Sequence, residues 1–384
     1  MSVAYAESTL WQRLRPVFSG FDPPLLIAIA LLAIAGLVTM YSAGFDYRAR
    51  FSGHARNMLL GLVVLFLAAQ ISPQRLMSLA LPLYTIGVGL LIATAMYGIT
   101  KKGAQRWLDL GVVVQPGEVL KIAMPLLLAW WFQRREGQLR VMDYLVALAL
   151  LAVPVGLIVK QPDLGTAILV LSAGLYVIFF AGLSSRLVIS ILVIGVVAVV
   201  ALVASEAQIC RPDVKWPLLR DYQKHRVCTL LDPSTDPLGK GFHTIQGMIA
   251  IGSGGLAGKG YLKGTQTHLE FIPERTTDFI FAAFAEEFGL LGCAALLLGF
   301  TFLIIRGLMI AAEAPTLFTR LLAGGITLSL FTYAFVNLGM VSGVLPVVGI
   351  PLPFLSYGGT AMLSLGLGLG ILMSIAKSRR LIQS

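Results

Sequence analysis

The sequence predicts an all-α polytopic membrane protein of about ten transmembrane helices, and three observations predict it. The 384 residues are 57% hydrophobic and only 12% charged. Mean hydropathy is +0.85, far above that of a soluble globular chain. The apolar residues also fall into separate runs near the length a helix needs to cross hydrocarbon, where lipid offers backbone N–H and C=O groups no partners.

In chain order, spans are expected at 25–43, 57–72, 79–99, 117–133, 144–159, 165–183, 187–205, 288–308, 320–341 and 359–376. Arg13 and Arg15 precede the first run and no small-residue cleavage site follows it, so it reads as a retained helix rather than a signal peptide. Ten helices put both termini on one side. Basic residues favour cytoplasmic loops, and Arg75, Arg134, Arg135, Arg140, Arg186, Arg306, Arg320 and Lys377 share the side of the termini, which makes that side the cytoplasm.

Many cations remain for the outer side, among them Arg48, Arg50, Arg56, Lys101, Lys102, Arg106 and Lys160. Cations placed where the topology rule disfavours them point to an anionic ligand, and the net charge of +10 suits an anionic lipid head group. No basic soluble domain is present, so nucleic acid is excluded as a partner.

The chain reads as one integral membrane domain, 1–384, with an extracytoplasmic insertion at 206–277 between the seventh and eighth helices. Loops of that length are usually functional or disordered. Within it, HTIQGMIAIGSGG is too short to span and reads as a helix lying at the interface or dipping into a cavity, its glycines allowing close approach to a ligand or another helix. Cys210 and Cys228 fall in the same insertion, where an oxidising compartment permits a disulfide; two free thiols are the alternative.

Three stretches carry the candidate chemistry. In KKGAQRWLDLGVVVQPGEVLK, Pro116 suits a first helical turn and Glu118 complements the positive helix end. Lys121 is disfavoured there by the dipole. Either it forms an i,i+3 ion pair with Glu118 or it meets a ligand. Arg106 offers a planar fork that fits phosphate oxygens, and Trp107 is either a stacking surface for a sugar or an interfacial anchor. In VKQPDLGTA, Asp163 is placed to cap the sixth span.

The third stretch, FIPERTTDFIFAAFAEEFG, puts charge at the head of an apolar run. A helix starting at Asp278 would carry Glu286 and Glu287 about 12 Å into the membrane. Each would cost near 3 kcal/mol if it faced lipid. The expectation is therefore that 278–287 is a short segment lining an outward-open cavity and that the span begins near Phe288. Asp278 then either caps a helix or stands partly desolvated on the cavity wall, where a raised pKa makes a carboxylate a better base.

PERTTDFIFAAFAEEFG, KQPDLGTA, GAQRWLDLG with QPGEVLK, and NLGMVSGVLPVVGIPLPFLSYGG together resemble the signature segments of the SEDS family of peptidoglycan glycosyltransferases, across almost the whole chain. LEFIPER and GMVSGVLPVVGIPLP point to its elongation branch rather than its division branch. QPGEV carries glycine where the family more usually has serine or alanine. The resemblance implies a ten-helix fold related to GT-C glycosyltransferases, in the bacterial inner membrane, polymerising lipid II into glycan strands at the periplasmic face.

It further implies that Asp278 is the essential aspartate, a general base for an inverting transfer, with Arg106, Trp107, Glu118, Lys121 and Asp163 on other functional positions. Lys101, Lys102 and Arg275 are additional candidates for holding the pyrophosphate. No metal ligand or cofactor is assigned, although a divalent cation is compatible with pyrophosphate chemistry. The implied partners are lipid II, the nascent strand, a class B penicillin-binding protein transpeptidase and other elongation-complex membrane proteins. The apolar faces of spans 288–308 and 320–341 are the expected docking surface for the transpeptidase's anchor helix, with Gly324 and Gly325 permitting close approach there. A lipid II flippase is the competing class, because broken helices and intramembrane charge also mark transport pathways. Its need for access from both sides fits poorly with polar candidates gathered on the outer half.

Overall fold

The computed structural model describes residues 20–184 apart from 47, 102, 103, 110 and 112, scattered residues between 186 and 231, and 240–383 apart from 273. The expected seventh span, 187–205, and most of the insertion up to residue 239 lie largely outside the described residues. The helices are α1 (Pro23–Ala43), α2 (Arg48–Ala68), α3 (Pro73–Tyr97), α4 (Pro116–Gln133), α5 (Val141–Lys160), α6 (Leu164–Phe180), α7 (Lys240–Ser253), α8 (Thr265–His268), α9 (Ile280–Ala312), α10 (Leu317–Val341) and α11 (Gly359–Gln383). Seven of the described helices are long and apolar enough to cross a membrane. The chain is a multi-pass helical membrane protein.

Local chemistry sets several helix starts. Asp22 caps α1 by accepting from the Leu25 amide at 3.0 Å, and Pro23 follows in the first turn. Pro73 and Pro116 open α3 and α4 in the same way. Helices α2, α3 and α9 begin earlier than hydropathy alone suggests. Arg48, Arg50 and Arg56 belong to the N-terminal half of α2 rather than to a loop.

Helix α4 is the interior of the bundle. Leu120, Ala123, Met124, Leu126, Leu127, Leu128, Ala129 and Phe132 are all buried, and α3, α6, α10 and α11 pack around it. Helices α1, α2, α3 and α9 instead turn Leu31, Leu59, Ile86 and Leu298 outward. Apolar residues facing out are what a lipid solvent requires.

Between α3 and α4, where the sequence pattern predicts a loop, 99–114 forms a small antiparallel sheet: β1 (Ile99–Lys101), β2 (Ala104–Asp109) and β3 (Val113–Val114), in the order β1-β2-β3. It fixes Arg106 and Trp107 on one strand. Cys210 and Cys228 are joined by a disulfide.

The glycine-rich centre of the insertion packs onto α9. At Gly289 (φ 62°, ψ −162°) the helix breaks. The carbonyls of Glu286 and Glu287 accept from the amides of Lys259 and Gly260, at 3.0 and 3.1 Å. Beyond the break the amides of Leu290 and Leu291 donate to Gly255 and Leu256, at 2.9 and 3.1 Å. The backbone groups freed by the break are thus satisfied by 255–260. This needs contact at backbone distance: a Cβ on Gly258 (φ 80°) would stand 2.0 Å from the Glu287 carbonyl oxygen.

The expectation for 278–287 is therefore corrected in part. A break exists at Gly289, close to Phe288, but 280–287 is buried helix, and of the expected segment Asp278 and Phe279 line the large cavity described below. Glu286 is wholly buried and accepts from Lys259 Nζ (2.7 Å), Thr265 Oγ1 (3.1 Å), the amides of Gln266 and Thr267 (2.8 and 3.2 Å) and Thr267 Oγ1 (3.1 Å). Glu287 accepts from Ser42 Oγ on α1. Gly324 and Gly325 are corrected too. Both are buried inside the bundle, against Phe180 and Val177 of α6, and offer no face to a partner.

Candidate active site

A cavity of about 670 Å³ is lined from β2 by Arg106 and Trp107, from the start of α4 by Gln115, Glu118 and Lys121, and from the start of α6 by Asp163, Gly165 and Thr166. His243 of α7 and the turn carrying Glu274, Thr277 and Asp278 form further wall, closed by 347–351 and Tyr357. Six of the sequence candidates thus meet here: Asp278, Arg106, Trp107, Glu118, Lys121 and Asp163.

Both of the wall's fixed cations are paired with carboxylates. Arg106 Nη1 stands 3.7 Å from Asp163 Oδ1. Asp163 both caps α6, accepting from the Thr166 amide at 3.2 Å, and accepts from Gln115 Nε2 at 2.8 Å and Thr166 Oγ1 at 3.0 Å. The capping role read from sequence is real and coexists with a place on the cavity wall. Lys121 Nζ donates to Glu118 Oε1 at 2.6 Å, while Ser364 Oγ holds Glu118 Oε2 at 2.8 Å. Lys121 also lies 5.1 Å from the centre of the Tyr333 ring, within cation–π range. The two readings of Lys121 are compatible: it is ion-paired, and it lines the cavity.

Asp278 comes from a different element, the turn before α9. Its Oδ2 lies 3.3 Å from where a Cβ on Gly349 (φ 76°) would stand, so that glycine keeps the wall beside the carboxylate free of a side chain. The Phe279 ring packs beside the His243 ring, with centroids 5.9 Å apart.

Arg275 is not brought to this cavity. It is almost fully buried, donates to the Ala43 carbonyl at 3.0 Å and to Asp46, and lies against Phe45. It ties the turn before α9 to the α1–α2 connection, and is corrected here from ligand candidate to cross-tie. Burial pushes the Asp46 carboxyl up, but neighbouring hydrogen bonds, that of Arg275 first, hold it below its ordinary value. Lys101 lies at the end of β1, and Lys102 falls outside the described residues.

Sequence reasoning missed Gln115, His243, Thr166, Ser364 and Tyr357, none of which stands out by charge against an apolar background, and Glu274, whose charge is one of several in its stretch. Among the described residues, no group of three His, Cys, Asp or Glu side chains is arranged to hold a metal.

The model of the FtsW, RodA and SpoVE cell cycle proteins matches residues 23–381, and the chain belongs to this family. It is 47% identical to the peptidoglycan glycosyltransferase MrdB of Escherichia coli K12, over 98% of this chain and 97% of that one. It is 31% identical to stage V sporulation protein E of Bacillus subtilis, over 94% and 98% respectively. Among solved structures it is similar to a chain of a peptidoglycan synthase complex that coordinates polymerization and crosslinking, with TM-score 0.76 and 35% identity over 94% of this chain and 98% of that one. It is also similar to the rod shape determining protein RodA of Thermus thermophilus, with TM-score 0.69 and 29% identity over the same shares.

Proposed function

We propose that the cavity is the site at which lipid II is polymerised, with Asp278 as general base. The chain is a peptidoglycan glycosyltransferase of the elongation type. In the reaction the acceptor sugar's 4-hydroxyl attacks the anomeric carbon of the donor. Its proton passes to the Asp278 carboxylate, the new C–O bond forms, and the bond to the polyprenyl pyrophosphate breaks from the opposite face. A single transfer of this kind inverts the anomeric centre. Arg106 and Lys121 receive the charge that develops on the departing pyrophosphate, where fixed cations stabilise a transition state most. Glu118 and Asp163 hold those cations in place, and Trp107 presents a flat face to a sugar.

The observation that carries this reading is that one cavity joins a carboxylate from the α9 turn to two separately clamped cations. The site faces the periplasm from the inner membrane, with both termini cytoplasmic. A class B penicillin-binding protein transpeptidase is the partner, consistent with the likeness to a chain of a synthase complex. The test is polymerisation of labelled lipid II by the purified full chain, alone and with its cognate transpeptidase. Asp278→Asn should bind lipid II and fail to polymerise it; near-normal polymer from that variant would sink the assignment.

A further inference from the structure

Asp278 sits in a turn, not in a regular helix, and the carbonyls of Thr276, Thr277 and Asp278 find partners outside that turn. The Ala282 amide, which an α-helix would give to the Asp278 carbonyl, goes instead to Phe279 O at 3.0 Å. The Asp278 carbonyl is taken by a side chain from α10: Asn337 Nδ2 donates to it at 2.9 Å. The same nitrogen donates to the Ile350 carbonyl at 2.7 Å. Asn337 is fully buried, and its Oδ1 has no partner among the described residues. An amide kept with one end unsatisfied in a protein interior is held there by what its other end does.

The two preceding carbonyls are held from the same stretch of chain. Ser356 Oγ donates to Thr277 O at 2.6 Å, and the Tyr357 amide donates to Thr276 O at 2.8 Å. Ser356 Oγ in turn accepts from the Leu352 amide at 2.8 Å. Three successive carbonyls, 276, 277 and 278, are thus tied to 337–357. Ile350, the second acceptor of Asn337, follows Gly349, the residue that flanks the Asp278 carboxylate.

We infer that Asn337 is a positioning residue: it locks the backbone of Asp278 and the cavity wall beside its carboxylate into one rigid arrangement, with Ser356 as a second tie. This rests on Asp278 being the base. A base must meet its proton at hydrogen-bond distance, and misplacement of the reacting groups by about 1 Å can cost on the order of 100-fold in rate. Losing the clamp therefore slows turnover and leaves binding of the lipid largely intact.

The experiment compares Asn337→Leu, Ser356→Ala and Asp278→Asn in the purified full chain with its transpeptidase, measuring kcat and KM for lipid II and the pH dependence of kcat. N337L should lower kcat at least tenfold with KM within about twofold, and should move the acid limb of the pH profile. S356A should lower kcat by a smaller factor, at least threefold, also at unchanged KM. A purely structural role would lower thermal stability and leave kcat per folded molecule and the acid limb alone, which overturns the inference. If N337L is not recovered folded, S356A decides: wild-type kcat overturns the inference, and the kcat-specific loss supports it. If D278N polymerises normally, the base assignment itself is wrong. If D278N is inactive while the folded clamp variants turn over at wild-type rate, only the clamp is wrong.

Discussion

The stretch from Glu274 to Gly289 holds two sets of carboxylates that look alike in sequence and behave differently in the fold. At its start Glu274 and Asp278 lie on the wall of a large cavity. At its end Glu286 and Glu287 are buried, and Glu286 is encircled by five donors from 259–267. A carboxylate whose lone pairs are filled by fixed donors is anchored and has little capacity left to take a proton from a substrate. Charge in an apolar segment therefore marks either a site or a socket, and the hydrogen-bond inventory around it tells which.

That contrast is broken most directly by removing charge at each end. Asp278→Asn should cost 100-fold to 10,000-fold in polymerisation, roughly the range for a lost general base, without lowering thermal stability. Glu286→Ala should do the reverse. It leaves Lys259 and two backbone amides without their partner and should destabilise by about 3 kcal/mol, read as a fall in unfolding temperature in detergent. The folded fraction should still polymerise at a rate near wild type. Catalytic loss in folded E286A, or a stability collapse in D278N, would erase the distinction.

The Lys121–Glu118 pair lies between these extremes, because it is both an ion pair and part of the cavity wall. Lys121→Met should lower polymerisation by roughly 100-fold, the scale for losing one electrostatic contact to a developing charge. Exchanging the two residues keeps the pair but moves the cation one turn toward the helix start. The exchanged protein should stay below a tenth of wild-type activity; full restoration would make the pair a socket like Glu286.

The site side of this contrast is legible in the sequence. Asp278, Arg106, Glu118 and Lys121 stand out because a charge in or beside an apolar run demands an explanation, and the cavity supplies one. The sockets are not legible, because their partners include backbone amides of the short helix α8 some 20 residues away, at Gln266 and Thr267, which leave no trace in side-chain pattern. Nor is Arg275, since the α1–α2 connection that receives it is remote in sequence. Gly324 and Gly325 do signal close helix approach, but sequence cannot say whether the approaching helix is internal. The neutral amides Gln115 and Asn337 escape for a simpler reason: they carry no charge.

A smaller effect tests the break in α9 that follows the buried carboxylates. Gly258→Ala places a Cβ 2.0 Å from the Glu287 carbonyl oxygen, on a residue with φ near 80°. Strain of that kind is worth about 1–3 kcal/mol. The unfolding temperature should fall and lipid II binding should persist. An unchanged unfolding temperature would show that 255–260 does not hold the break.

The smallest effect is expected at Arg275, three residues before Asp278 yet on the anchoring side of the contrast. Arg275→Lys keeps the charge but loses the fork that serves Ala43 O and Asp46 together, so one acceptor is left poorly satisfied, at about 1 kcal/mol. Polymerisation should stay within twofold of wild type. The acid dependence gives a second reading. The folded-state pKa of Asp46 lies below its unfolded value, so the stabilisation from this pair is complete above about pH 4 and is lost as pH falls through the folded value. The difference in unfolding temperature between wild type and R275K should therefore be constant near neutrality and shrink below about pH 4. A turnover defect at neutral pH with an unchanged unfolding temperature would instead put Arg275 among the groups that meet the pyrophosphate, and the line drawn between site and socket would have to pass on its other side.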